Sequence, residues 1–173
     1  MALAKGLTSG YVPMSAVMVG DRVADKLIAD GGEFYHGFTY SGHPVAAAVA
    51  LANLQIIEEE KLIKKVHDDT GPYLAQLLAP LADHPLVGEV RSFGMLAAIE
   101  LVKDKTGPIL FDSVSNAGAI CRDHAIAGGM MMRAVRDGMI MSPPLTFGRD
   151  DIDKAVGIAT IALDKTATDL GIY

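Results

Sequence analysis

The sequence predicts a fold in which helices are layered on short strands, of the α/β or α+β kind. Short apolar runs typical of strands alternate along the 173 residues with segments whose apolar residues recur at helical spacing. Glycine, proline and Asp-Gly signals separate these segments. Hydrophobic residues make up 50% of the chain and charged residues 21%, a composition usual for a globular domain able to bury a core.

The first part of the chain is rich in turns. Four elements are predicted there: a strand at 15–19, a helix at 21–30, a loop at 37–42 and a helix at 44–59. The strand is apolar throughout, which predicts burial on both faces. Gly31-Gly32 ends the first helix, and Pro44 suits the first turn of the second. Alanines on nearly every face of the second helix predict that it is buried between larger bodies, with a domain boundary near residue 60.

The rest of the chain predicts a helix at 61–81, two strands within 87–102 that meet near Gly94, a helix at 115–127, a hairpin of 130–135 and 139–141, and a last helix from about 150. Gly71-Pro72 predicts a kink or break inside the first of these helices, because proline lacks the N–H that a helix interior needs. Asp137-Gly138 is the turn signal of the hairpin.

Charge and composition argue against several partners. The formal net charge of -6 argues against nucleic acid, which is bound through clustered Lys and Arg. No apolar run is long enough to cross a bilayer, and the first ten residues lack the apolar region of a secretory signal, so no membrane partner is expected. The single cysteine, Cys121, cannot form an internal disulfide, which fits a reducing cytoplasm.

Lys5 is the first candidate for chemistry. It lies in the run Ala2-Leu3-Ala4-Lys5-Gly6, and apolar surroundings would lower the pKa of its amine and make it a nucleophile near neutral pH. A lysine near a chain end is more often simply exposed, with its charge in solvent, so spacing alone favours that interpretation.

The second candidate is the loop 36–44, HGFTYSGHP, which opens a helix. Its glycines and hydroxyls could present N–H groups to a phosphate, or could merely cap the helix through a Ser or Thr side chain. His36 and His43 have no third ligand at suitable spacing, so no metal site is expected.

The third candidate is Arg133, at the end of the apolar run Met130-Met131-Met132. An arginine there is suited to binding a carboxylate through two parallel hydrogen bonds, although the residues alone favour an edge-strand arginine that reaches solvent. No Gly-x-Ser-x-Gly, Walker or Gly-x-Gly-x-x-Gly motif accompanies these residues, which argues against a Ser–His–Asp hydrolase and a nucleotide-binding loop.

Three segments, in this order, resemble class III aminotransferases, the fold type I enzymes also called omega-transaminases. They are AKGLTSGYVPMSAVMV, HGFTYSGHPVAAAVALANLQIIEEE and GMMMRAVRDGMIMSPPLTFGRDDIDKAV, and the resemblance extends over essentially the whole chain. It implies that residues 1–60 are the end of the large cofactor-binding domain with its inter-domain helix. Residues 61–173 would be a small α+β carboxy-terminal domain.

The same resemblance implies roles for single residues. Lys5 would bind pyridoxal 5'-phosphate covalently and then carry a proton between substrate and cofactor. Phe38 and Thr39 would lie at a cofactor phosphate, Thr39 through its hydroxyl, and that phosphate belongs to the other subunit of a homodimer. Arg133 would bind the carboxylate of a keto acid, and its context is most similar to the branch that uses pyruvate.

Other features of the family have no counterpart in this sequence. They are the glycine-rich phosphate loop, the aromatic residue that stacks on the pyridine ring and the Asp that pairs with its nitrogen. We therefore expect the 173-residue chain to be the carboxy-terminal part of such an enzyme and inactive by itself. Two alternatives stay open: a PLP-dependent aminomutase or related lyase, and a non-catalytic fragment that pairs with a partner chain.

Overall fold

The structure is a computed structural model that describes residues 1–31, 33–107, 109–112 and 116–172. The described chain divides into two compact units, residues 1–61 and residues 62–173.

The first unit contains the strands β1 (Ala2–Leu3) and β2 (Ala16–Val17) and the helices α1 (Asp21–Ala29) and α2 (Pro44–Glu59). The two strands pair antiparallel, with Leu3 opposite Ala16. Both helices confirm the sequence prediction to within one residue at the ends that the structure describes. Gly32, part of the predicted stop signal of α1, lies outside the described residues.

The burial predicted for this unit is wrong for the described chain. Val17 is 74% exposed, because the run 15–19 forms only two ladder pairs and no second layer of the unit covers it. In α2 only Ala50 is buried, and Leu51 is 68% exposed. The Ala-rich surface of α2 is therefore open in this unit and not enclosed between larger bodies.

The second unit contains a mixed set of helices and strands: α3 (Leu62–Lys65), α4 (Gly71–Leu78), β3 (Val87–Phe93), β4 (Leu96–Leu101), α5 (Ala117–Ala127), β5 (Arg133–Val135), β6 (Gly138–Met141) and α6 (Arg149–Asp169). The four strands form one antiparallel sheet in the order β3-β4-β6-β5. These elements confirm the predicted helices and strand pairs, except that β5 begins at Arg133 and not at Met130. Ser115, the predicted start of α5, lies outside the described residues.

The break predicted at Gly71-Pro72 is confirmed as a π-helical turn over Val66–Thr70, between α3 and α4. The N–H of Gly71 reaches back five residues to the carbonyl of Val66. A side chain at Gly71 would not fit, since its Cβ would lie 2.5 Å from that carbonyl oxygen and 3.1 Å from the Cα of Gly94. The wider turn thus accommodates the missing N–H of Pro72 and lets the helix approach the β3–β4 turn.

One face of the sheet forms the core of the second unit. Ile99 pairs with Met139 and Ala97 with Met141, and all four side chains are buried. They share one cluster with buried side chains of the three long helices, among them Leu74, Leu78, Cys121, Ile152 and Leu163. Burial of each large side chain contributes about 1.5–3 kcal/mol, so this unit has the core that the first unit lacks.

Candidate active site

Lys5 begins a single 3-10 turn, Lys5–Leu7, directly after β1. Its backbone φ is +52°, in the left-handed region that side chains other than glycine rarely adopt. The apolar surroundings predicted for Lys5 are absent in this unit, because β1 pairs only with β2 and the lysine is exposed. Its amine forms no hydrogen bond or ion pair with any residue that the structure describes.

The loop after α1 folds on itself ahead of α2. The N–H of Phe38 donates to Ser41 Oγ, and the N–H of Ser41 donates to the carbonyl of Phe38. Both donor–acceptor distances are 2.9 Å. The ring of His36 packs edge-on against Phe38 at 5.8 Å between centroids. Thr39 lies inside this turn, exposed, and its hydroxyl has no partner in the described part of the chain.

The cap of α2 differs from the alternative raised by the sequence, in which a Ser or Thr side chain caps the helix. His43 occupies the N-cap, and its Nδ1 accepts a long hydrogen bond of 3.5 Å from the N–H of Ala46. Ser41 instead closes the loop. The N–H groups at this helix end therefore lack a strong side-chain acceptor, as an anion site requires.

Lys5 and the Phe38 loop line two cavities that share one segment, residues 12–15. An open cleft of about 600 Å³ is lined by Lys5, Thr8 and this segment. A second cavity of about 430 Å³ is lined by the same segment together with Phe38, Tyr40 and His43. Both cavities belong to the first unit, so two of the three predicted sites share a wall.

Arg133 lies in the second unit, on the edge strand β5. It pairs with Ile140, which pairs with Ala98, so these three residues form a row on the sheet face opposite the core. Arg133 is exposed, and no carboxylate among the residues described by the structure lies within ion-pair distance. Glu100, on the same face, is 3.4 Å from Arg91.

Two hydrogen bonds of Asp137, one through its side chain and one through its backbone, fix the hairpin that presents Arg133. Asp137 Oδ1 accepts a hydrogen bond of 3.1 Å from the N–H of Gly118 in the first turn of α5, and its carbonyl accepts one of 2.9 Å from the N–H of Leu101. A Cβ at Gly118 would lie only 2.0 Å from the carbonyl oxygen of Arg136. Asp137 therefore caps α5 from outside the helix, which holds the hairpin against it.

The remaining reactive side chains show no site. Burial raises the pKa of the Cys121 thiol, so it is a core residue and not a nucleophile. A hydrogen bond with Glu33 raises the pKa of Tyr35, which is exposed. Within the described ranges, no three His, Cys, Asp or Glu residues are grouped so as to hold a metal ion, and no helix is long and apolar enough to cross a membrane.

Sequence reasoning missed two residues, Asn53 and Asp137. The amide of Asn53 on α2 bonds to the lysine turn, where Nδ2 donates to the carbonyl of Gly6 over 2.9 Å. A signal for Asn53 was present, because asparagine is unfavourable inside a helix and here interrupts an Ala- and Leu-rich one. Asp137 was noted only as a turn residue.

Comparison with known proteins places the chain in a family. Residues 1–163 match the model of the family described as aminotransferase class-III. A putrescine–pyruvate aminotransferase of Pseudomonas aeruginosa is 54% identical over 167 residues, which cover 96% of this chain and 36% of that protein. A diaminobutyrate–2-oxoglutarate transaminase of Halomonas elongata is 41% identical, over 98% of this chain and 37% of that protein.

Solved structures agree with these relatives. A thermostable (S)-enantioselective omega-transaminase from Thermomicrobium roseum superposes with a TM-score of 0.90 at 41% identity, over 95% of this chain and 37% of that one. The omega transaminase from Pseudomonas jessenii in complex with PMP gives a TM-score of 0.89 at 39% identity, over 99% and 38%. The chain thus spans little more than a third of the length of the proteins it matches.

Proposed function

The chain belongs to the class III aminotransferases, and from that premise we propose that it forms part of a pyridoxal-phosphate enzyme that transfers an amino group from an amine or amino acid to a keto acid such as pyruvate. The observation that carries this proposal is the amine of Lys5, exposed at an open cleft and without a partner among the described residues. The similarity to a putrescine–pyruvate aminotransferase supports pyruvate as the acceptor.

Residues at this cleft and in the loop 36–44 of the same unit fit pyridoxal phosphate. The free amine of Lys5 would hold the cofactor, and the similar omega transaminase from Pseudomonas jessenii was solved in complex with PMP. Thr39 has an unpartnered hydroxyl in a loop of the kind that holds phosphate, and Phe38 lines the cavity beside it. When bound, the cofactor supplies an electron sink for the charge that develops on the substrate.

Lys5 has two tasks in this proposal. Its amine would hold the cofactor, and once released by a substrate amine it would carry a proton to and from the substrate carbon. Thr39 and Phe38 hold the phosphate of the other subunit's cofactor, so the site is completed in a homodimer. Because the Lys5 cleft is open, the remaining walls would come from the rest of the fold and from the partner subunit.

Arg133 receives the keto acid. Its guanidinium has five N–H donors in a planar arrangement that suits a carboxylate, and among the described residues no acidic side chain neutralises it. The row Arg133, Ile140 and Ala98 places apolar surface beside the cation. An amine substrate without a carboxylate could lie on that surface and leave Arg133 in solvent.

The two units support the domain assignment. Residues 62–173 have their own core and would be the small carboxy-terminal domain, whereas residues 1–60, with exposed apolar surface, would be the end of the large domain. We expect the 173-residue polypeptide to be inactive by itself, because its Lys5 cleft is open. We place the enzyme in the cytoplasm, where a single cysteine stays reduced.

A chimera tests the proposal. The matched 167 residues of the Pseudomonas aeruginosa enzyme are replaced by the corresponding residues of this chain, and pyruvate-dependent turnover of putrescine is measured. We expect turnover, and we expect Lys5→Ala to lower kcat by roughly a thousandfold or more, because the nucleophile is removed.

Lys26→Ala is the matched control, because Lys26 is also exposed in the first unit but pairs with Asp30 at 3.0 Å. It should leave kcat unchanged. If the Lys5→Ala chimera kept its turnover, the role of Lys5 would be wrong. If the isolated 173-residue chain with added pyridoxal phosphate turned over the amine, its expected inactivity would be wrong.

A further inference from the structure

The side chain of Asn53 makes three hydrogen bonds to the lysine turn. Its Nδ2 donates to the carbonyls of Gly6 at 2.9 Å and Leu7 at 3.2 Å, and its Oδ1 accepts from Ser9 Oγ at 2.6 Å. Both donor hydrogens and one acceptor of the amide thus bind three of the four residues that follow Lys5. These contacts join residues 44 to 47 positions apart in the sequence.

The turn that Asn53 holds is in an unfavourable backbone conformation. Lys5 has a φ of +52° and Ser9 a φ of +48°, both in the left-handed region. Such residues persist only where the surroundings fix them, and they often occur at functional sites. Inside the turn, the buried Thr8 donates its hydroxyl to the carbonyl of Val12 at 2.6 Å, which joins the turn to the segment that follows it.

A second amide side chain on α2, that of Gln55, makes no contact with the lysine turn among the described residues and serves as a comparison. Gln55 lies two positions later and donates only to Glu59 of the same helix, at 2.7 Å. Asn53 makes no side-chain hydrogen bond within α2, and the three that it forms all go to the turn. An asparagine inside a helix is less favourable than alanine, and these contacts are the gain that offsets it.

We propose that Asn53 is the positioning residue of Lys5. Asn53 does not touch the reacting atoms. It fixes the backbone that carries the Lys5 side chain, and so sets the position of the lysine amine relative to the cofactor. This inference rests on the proposed function of Lys5. A catalytic group must be held within a fraction of an ångström of its productive position, and three hydrogen bonds next to it can do so.

Four variants test the inference: Asn53→Ala, Asn53→Asp, Ser9→Ala and the matched control Gln55→Ala. Asn53→Ala removes all three contacts. Asn53→Asp keeps the acceptor for Ser9 but places a carboxylate against two carbonyl oxygens. Ser9→Ala removes one contact and leaves both amide donors in place, so it should fold even if the Asn53 variants do not.

The first measurement is amide hydrogen exchange of the segment 5–11 in the 173-residue chain, followed by mass spectrometry. We expect exchange to accelerate about fivefold or more in both Asn53 variants, less in Ser9→Ala and not at all in Gln55→Ala. Unchanged exchange in Asn53→Ala would show that the contacts do not hold the turn, and would overturn the inference.

The second measurement uses the chimera described above with pyridoxal phosphate as the probe. Borohydride trapping at Lys5 gives an apparent Kd for the cofactor, which should rise about fivefold or more in Asn53→Ala. The kcat should fall by a similar factor, while the KM values of amine and pyruvate and the melting temperature change little.

The outcomes separate the two levels of the proposal. If Lys5→Ala does not abolish trapping, the proposed function fails whatever Asn53 does. If Lys5→Ala abolishes trapping but Asn53→Ala changes exchange without changing kcat or the cofactor Kd, Asn53 is only a structural tie and this inference alone is overturned. Loss of kcat in Asn53→Ala with an intermediate loss in Ser9→Ala supports it.

Discussion

The two units differ in what holds their candidate residues in place. In the second unit, Arg133 stands on a sheet whose other face is a packed core, with Ile99 and Met139 fully buried. In the first unit, Lys5 stands on a turn held by hydrogen bonds, and the largest apolar side chains nearby, such as Val17, are exposed. Packing supports the arginine, whereas polar contacts support the lysine.

Candidate residues in the two units therefore depend on different interactions for their position. A side chain on a core-backed strand keeps its place as long as the unit is folded. A side chain on a turn with positive φ keeps its place only while specific hydrogen bonds are intact. We therefore expect the arginine side to withstand surface substitutions and the lysine side to be sensitive to single polar ones.

The largest expected effect contrasts two leucines. Leu74→Ala, at a fully buried position of α4, should lower the free energy of unfolding by about 2–5 kcal/mol, because it leaves a cavity in the core. Leu51→Ala, at a position of α2 that is 68% exposed, should change it by less than about 0.5 kcal/mol. Urea unfolding of the 173-residue chain, followed by circular dichroism at about 222 nm, measures both. Equal losses would mean that α2 is packed as tightly as the core.

An intermediate effect is expected at Arg133. In the chimera, Arg133→Ala should raise the KM for pyruvate about tenfold or more, because a charge-assisted bidentate contact is lost. The KM for an amine without a carboxylate should change much less. Arg91→Ala is the control, since Arg91 lies on the same sheet face but is bonded to Glu89 at 2.6 Å. Similar rises for both substrates would remove the assigned role of Arg133.

The smallest effect is expected at Asp137. Asp137→Ala should destabilise the second unit by about 1 kcal/mol, since the N–H of Gly118 loses its cap, whereas Asp137→Asn should restore most of it. Thermal unfolding of the chain measures the difference. Asp123→Ala, on the exposed side of α5 and paired only with its neighbour Arg122, should have almost no effect. If the Asn variant were as unstable as the Ala variant, the cap would not be the reason.

The sequence predicted most of the local structure. The helices α1 and α2, the break at Gly71-Pro72 and the hairpin around Asp137 all follow from periodicity, proline and turn chemistry, which act over a few residues. It did not predict that the run 15–19 and the Ala-rich α2 are exposed in their unit. Apolar composition shows that a segment is suited to burial, but burial also requires a second surface to cover it.

The candidate residues Lys5, Phe38, Thr39 and Arg133 came from motifs in family order, and their roles remain proposals. Membership of the class III aminotransferases is confirmed by the match over residues 1–163. Asn53 and Asp137 could not be assigned in this way, because their partners lie 44–47 and 19 residues away along the chain. No local pattern pairs an amide on a helix with a carbonyl in a distant turn.

By itself, then, the sequence determined the family, the order of helices and strands, and the reactive side chains, because these depend on residue type and spacing. Only the tertiary structure decided which supports hold those side chains. It placed Arg133 on the open face of a core-backed sheet and the Lys5 turn on the amide of Asn53. Such contacts join segments that are distant in the sequence, and the spacing of neighbouring residues does not predict them.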